Sequence, residues 1–260
     1  MQTPNLARLL DAALDDAGTL AMAVPEGWTQ GRTAYGGLST AAAYCAARSA
    51  GPDLPPLRSA QIAFAGPISG TVRAEARMLR RGRSSAFVTA DLHSGDAAAW
   101  HGTFLFTATR DSSVLLKSAS APFVVPPEEA PATRRQHAPA FTQHFDYADA
   151  SPGKDGTEPM LRHWVRLRDR GGLDPFAELL LVGDALPPGA LTLMKEPGPV
   201  SSAMWSIDLL VSEPRTRDGW WLLETRTDQA EGGMSTQSMA IWNADGEPVA
   251  IGSQTVSIFA

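Results

Sequence analysis

Apolar and polar positions along this chain fall into one pattern, written twice. A helical period covers Asn5–Ala17, with Leu6, Leu9, Leu10 and Leu14 on one face. A turn-rich stretch, Pro25–Thr33, carries Trp28 and leads into a helix of small residues at Tyr35–Ser49 (YGGLSTAAAYCAARS). After the loop Gly51–Pro56 come four strand-like runs: Arg58–Ala65, Thr71–Leu79, Ser84–His93 and Ala97–Thr109. Gly-Pro, Arg-Gly and Ser-Gly-Asp turn signals separate them. Asp111–Ala140 breaks the rhythm with Pro122, Pro126, Pro127, Pro131 and Pro139, and reads as a linker lying along the surface. The pattern then resumes. Strands are expected at Phe141–Tyr147 and Met160–Leu167, followed by a helix opening at Asp174. Further strands are expected at Ser202–Val211, Trp220–Ala230, Met234–Asn243 and Pro248–Phe259. A helix followed by antiparallel strands, repeated at half the chain length, is an α+β plan rather than alternating βαβ.

The stretch Asp174–Leu191 (DPFAELLLVGDALPPGAL) stands out within this pattern. Asp174 is a good N-cap, and Pro175 at the first helical position loses nothing by lacking an N–H. From Leu179 to Met194 the only charged residue is Asp184. A segment apolar all round belongs in a core, where a carboxylate is costly unless something hydrogen-bonds it. Pro187 and Pro188 end or kink the helix just beyond. Asp184 is therefore either a cap that meets a backbone amide or a catalytic carboxylate. Gly36 and Gly37, poor helix formers at the start of the small-residue helix, would let a backbone or a ligand approach a helix N-terminus.

Composition narrows the classes. The chain has 260 residues, 43% hydrophobic and 19% charged, enough for a substantial core. A net charge of −6, with no basic run beyond Arg80-Arg81-Gly82-Arg83, argues against nucleic acid as a partner. No apolar run is long enough to span a bilayer, and the first thirty residues lack a signal-peptide pattern, so a cytoplasmic protein is expected. The single cysteine, Cys45, rules out an internal disulfide and any multi-cysteine zinc site, and reads as a buried structural thiol. His93, His101, His137, His144 and His163 show no metal-ligand spacing, so no metal is expected. There is no Gly-x-Ser-x-Gly elbow for a serine hydrolase and no phosphate loop.

A helix wrapped by an antiparallel sheet, duplicated, describes a double hot-dog fold. The C-terminal stretches WSIDLLV (205–211), WLLETRT (221–227), NADGEPVA (243–250) and IGSQTVSI (251–258) resemble the acyl-CoA thioesterase II family. RTAYGGL (32–38) and LRRGRSSAFVTADL (79–92) resemble the opening of that family's first helix and its central hairpin. The resemblance implies two helix-wrapped antiparallel sheets forming an internal pseudo-dimer. Its units would be residues 1–110 and 141–260, joined by a linker at 111–140. It also implies hydrolysis of acyl-CoA thioesters without metal, cofactor or covalent intermediate, by a water held between a carboxylate, a hydroxyl and a glutamine. Carried onto this chain, those roles fall on Asp184, Ser206 (where the family usually has Thr) and Gln254.

The physics of the trio is consistent. A thioester carbonyl is already electrophilic, so aiming and activating water is the main task. Asp184 can take the proton, and Ser206 and Gln254 can orient the water. Read singly, Ser206 could point to solvent and Gln254 could simply pair across the sheet. Tyr35, Gly36, Gly37, Trp28 and Trp205 are the expected substrate-binding residues, with the backbone at Tyr35–Gly37 the first place to seek oxyanion donors. In the first half, Ala42 and Ala43 stand where a carboxylate would be needed, so one site per chain is expected. The rival function is a non-catalytic acyl-CoA or acyl-ligand binding protein on the same fold. An exposed sheet edge could also pair with another copy to form a homo-oligomer.

Overall fold

The computed structural model describes residues 6–12, 19–117, 120–133, 138–151, 158–196 and 198–259. The first half comprises α1 (Leu6–Ala12), β1 (Leu20–Ala23), a ribbon of β2 (Thr29–Gln30) and β3 (Thr33–Ala34), and α2 (Gly36–Ser49). It continues with β4 (Leu57–Ala63), β5 (Thr71–Arg81), β6 (Ser85–Ser94) and β7 (Ala97–Thr107). The second half comprises β8 (Phe145–Asp149), β9 (Met160–Leu167), α3 (Pro175–Gly183), β10 (Val200–Leu209), β11 (Trp221–Glu231), β12 (Met234–Asn243) and β13 (Pro248–Ile258). Most elements lie within two residues of their expected positions. The expected continuation of the first helix falls partly on residues 13–18, outside the described set. The strand expected at Phe141–Tyr147 is divided. Pro139 opens a 3₁₀ turn over Ala140–His144, which swings the Phe141 ring onto Tyr35 at 4.0 Å, and β8 starts only at Phe145.

The strands form one continuous antiparallel sheet of eleven, not two separate sheets, in the order β1-β5-β6-β7-β4-β10-β13-β12-β11-β9-β8. The halves join where β4 pairs with β10, from Met204 opposite Ala63 to Asp208 opposite Ser59. Outward from that seam the order mirrors itself, β7-β6-β5 on one side and β13-β12-β11 on the other. Irregularities recur in step. The breaks in register at Met78/Arg80 and Leu92/His93 have counterparts at Thr227/Gln229 and Ile241/Trp242. Ile62 faces Gly102 in the first half just as Ile207 faces Gly252 in the second. These landmarks set a residue-by-residue correspondence between the two halves.

Helices α2 and α3 are packed against each other, and alternate strand residues join them in a common core. The alanine-rich sequence of α2 allows close approach; a Cβ on Gly37 would stand 2.7 Å from the Leu181 carbonyl oxygen. Burying each large apolar side chain here is worth about 1.5–3 kcal/mol. The opposite face of the second half carries Ala148, Trp164, Leu222 and Trp242, covered by Ala121, Val124 and Ala130 of the linker. Trp164 Nε1 donates to the Val125 carbonyl at 2.8 Å. The linker also pairs with the end strand β8 through a bridge between Ala132 and Ala148, and Asp149 N–H donates to Pro131 O at 2.9 Å. Of the hairpin arginines, Arg81 donates to the Pro52 and Asp53 carbonyls at 2.6 and 3.2 Å, fastening the turn after α2, while Arg80 and Arg83 are exposed. Cys45 is free and half-buried, and burial pushes its thiol up to about 12.

Candidate active site

Asp184 occupies the C-cap of α3, where the chain leaves helical geometry (φ −97°, ψ 9°) before Pro187 and Pro188. Its carboxylate meets the N-terminus of α2. Gly37 N–H bonds to it, and a Cβ on Gly36 would stand 2.5 Å from Asp184 Oδ2 and 3.0 Å from Cε1 of Phe64. Glycine at 36 is therefore what lets the acid reach the helix start. The N-cap of α2, Tyr35, provides no side-chain cap, whereas Asp174 caps α3 by accepting from Phe176 and Ala177 N–H. Asp184 thus supplies from another helix the negative charge that the free amides and dipole of α2 favour. Of the two expectations for this residue, the contact with a backbone amide is present.

Gln254 Nε2 donates to Asp184 Oδ1 at 2.7 Å. The Gln254 carbonyl oxygen in turn accepts from Gln237 Nε2 at 3.0 Å, which fixes the direction of the amide. Desolvation dominates the proton equilibrium of Asp184. It lifts the carboxyl from 3.8 to about 7 against the opposing pull of the Gln254 and Gly37 hydrogen bonds. Asp184 nevertheless keeps some accessible surface, so water can reach it. An acid balanced near neutrality, partly open and hydrogen-bonded on one oxygen by a fixed amide, has the properties of a general base.

The other expected residues divide. Tyr35 is fully buried; its hydroxyl donates to the Leu181 carbonyl at 2.6 Å and ties α2 to α3 just before Asp184. Burial holds that phenol protonated, well above its ordinary range. Trp205 lies beneath the end of α3, where a Cβ on Gly183 would stand 3.2 Å from its ring. Trp28 belongs to the same aromatic cluster as Tyr35, 6.3 Å from that ring, 4.2 Å from the His144 ring and edge-on to Phe145. Ser206 is not brought to the site. Trp205 is the residue directly opposite Gln254, and strand alternation turns its neighbour Ser206 to the other face. There the Ser206 hydroxyl pairs with that of Ser253 at 3.0 Å. The Gly37 amide sought for an oxyanion serves Asp184 instead.

Two residues were not expected, Phe64 and Gln237. Gln237 sits at an inward position of β12, a strand polar on both faces in this region, so alternation of polarity gave no signal for it. A cleft of about 430 Å³ lies elsewhere, at the N-terminal end of α3 between Arg170, Glu178, Arg215 and Trp221. Its buried carboxylate, Glu178, is already engaged by Trp221 Nε1 at 3.2 Å and by Arg170. Among the described residues no three His, Cys, Asp or Glu side chains converge as metal ligands, and no helix is long and apolar enough to cross a membrane.

The sequence profile of the acyl-CoA thioesterase N-terminal domain matches residues 24–110, and that of the C-terminal domain matches residues 123–258. The chain belongs to the acyl-CoA thioesterase family. No curated protein matches it. Solved structures agree on the fold. A conserved protein of unknown function with a hot-dog fold from Alicyclobacillus acidocaldarius is 20% identical over 99% of both chains, with a TM-score of 0.88. The acyl-CoA thioesterase II TesB2 of Mycobacterium marinum is 17% identical over 96% of this chain and 98% of that one, at 0.76. The tesB protein of Mycobacterium avium subspecies paratuberculosis gives 17% over 96% and 98%, at 0.78. The N-terminal match ends just before the linker, and the C-terminal match begins within it.

Proposed function

We propose that this protein hydrolyses acyl-CoA thioesters to the free acid and coenzyme A, using Asp184 as general base and Gln254 as the group that orients water. The observation that carries the reading is the Asp184 carboxylate, lifted to about 7, held by Gln254 at 2.7 Å and set against the start of α2. In the proposed step Asp184 removes a proton from water as the oxygen attacks the thioester carbonyl carbon. The tetrahedral oxyanion then collapses, the C–S bond breaks, and the departing thiolate takes the proton from Asp184. The positive end of α2 stabilises negative charge developing beside Gly36. Ser206 has no part in this scheme, since its face of the strand is the wrong one. The mirrored strand order supports an internal pseudo-dimer with a single working site, because the helix α2 contains no acid.

The test is release of free thiol from a panel of acyl-CoAs. Asp184→Asn is expected to lower kcat by about 100-fold or more, with an unchanged circular dichroism spectrum. Unaltered turnover in that variant removes the mechanism. Acyl-CoA that raises the melting temperature without being consumed by the wild type establishes the binding-protein reading instead.

A further inference from the structure

The inner face of the second half changes character on either side of Asp184. Under α3 it is apolar and tightly packed. Trp205, Ile207, Met239 and Ile241 leave a gap of about 10 Å³, at the lower limit for one water molecule. Beyond the end of α3 it is polar. Gln237, Thr227 and Ser235 are 0%, 6% and 1% exposed, and all three project to the same face as Gln254. Thr227 and Gln254 each stand directly opposite Gln237 on the flanking strands, and Ser235 lies two residues along β12. Gln237 Oε1, Thr227 Oγ1 and Ser235 Oγ are buried without a hydrogen-bond partner among the described residues. Native interiors seldom leave such groups unpaired, and here three lie together on one face.

The fold does not require polarity there. By the correspondence of the halves, Thr227, Gln237, Ser235 and Gln254 answer to Met78, Val88, Ala86 and Phe104, which fill the same positions with apolar contacts. The polar set is also continuous with the chemistry, since Gln237 donates to the amide that holds Asp184.

We propose that Thr227, Ser235 and Gln237 form a subsite for a polar substituent, a hydroxyl or carbonyl group, carried on a short acyl chain a few bonds from the thioester. This rests on the hydrolase reading above. The acyl group runs from Asp184 toward β11 and β12, where the unpaired polar groups lie. A site built to hydrogen-bond a substrate hydroxyl rejects the analogue that lacks it, since its own buried groups are then left unpaired.

The experiment compares 3-hydroxybutyryl-CoA with butyryl-CoA and octanoyl-CoA, by turnover and by melting temperature. In the wild type, kcat/KM for the hydroxyacyl thioester is expected to exceed that for butyryl-CoA at least tenfold. In Thr227→Val and Ser235→Ala, separately and together, the ratio is expected to fall toward one. A wild-type ratio of one or less, or a preference that rises with alkyl length, overturns the subsite. Should no thioester be consumed, the melting temperature separates the two ideas. Stabilisation by 3-hydroxybutyryl-CoA beyond that by butyryl-CoA, lost in the double variant, keeps the subsite and ends the hydrolase reading. Equal stabilisation, or none, ends both.

Discussion

The two halves of this chain share a plan and differ in what they place on it. In both, a helix is followed by four strands, and register breaks fall at corresponding positions. In the first half, α2 runs for 14 residues without an acid, and its strands present Met78, Val88, Ala86 and Phe104 to the core. In the second, α3 stops after 9 residues at Asp184, and the matching positions hold Thr227, Gln237, Ser235 and Gln254. One half packs apolar side chains at these positions, and the other carries a polar line that ends on a carboxylate. The first copy still contributes, because the N-terminus of α2 is what Asp184 meets. The site belongs to neither half alone.

Several measurements would break or sharpen that contrast. The largest stability effect is expected from importing the polar residue into the packed copy: Val88→Gln should destabilise the fold by about 2–4 kcal/mol, read by urea denaturation. A small change there means that the first half tolerates polarity, and the contrast loses its meaning. Next, Gln254→Leu removes a donor that favours the charged carboxylate. The rate is expected to fall roughly tenfold or more, and the acidic limb of kcat/KM should move from about 7 to higher pH. A limb that stays in place would show that another group titrates.

Asp184 also leaves a mark on stability. Its folded-state value of about 7 lies above the 3.8 of an unperturbed carboxyl. Between those values the folded chain binds the proton more tightly than the unfolded chain does. The contribution is therefore fully present below about pH 4 and is lost as pH rises through about 7. Asp184→Asn should flatten that part of the stability profile, measured by denaturant melts from pH 4 to 8. Smaller effects of opposite sign are expected at one corresponding pair. Ser235→Ala should gain about 1 kcal/mol by removing an unpaired buried hydroxyl, and Ala86→Ser should lose a similar amount. Equal signs at the two positions would show that Ser235 is satisfied and its surroundings are not special.

Much of this was legible beforehand, for identifiable reasons. Strands β9 and β12 start and end where they were expected, and the turns that bound β12 are local, set by glycines of positive φ at Gly232, Gly233 and Gly246. The start of α3 was legible because Asp174 and Pro175 act locally, through the hydrogen bonds and backbone angles of a single turn. Asp184 was legible as a lone acid in an apolar segment, and Gln254 through likeness to the family. Ser206 was misplaced by the same likeness. Its neighbours matched, but a shift of one residue in a strand reverses the face a side chain takes, and the motif does not encode that choice. The stacking of Trp28 on His144, a partner more than a hundred residues away, was not legible in the sequence.

By itself the amino-acid order determined the repeated helix-and-strand plan, the caps and turns, and which acid sits among apolar neighbours, since each depends on residues close together in the chain. Only the tertiary structure decided that the two sheets merge along β4 and β10, that Gly36 admits the Asp184 carboxylate to the end of α2, and that Gln237 rather than Ser206 stands behind Gln254. Those relations join residues tens to over a hundred positions apart. They follow from register and close packing, which no short stretch of sequence contains.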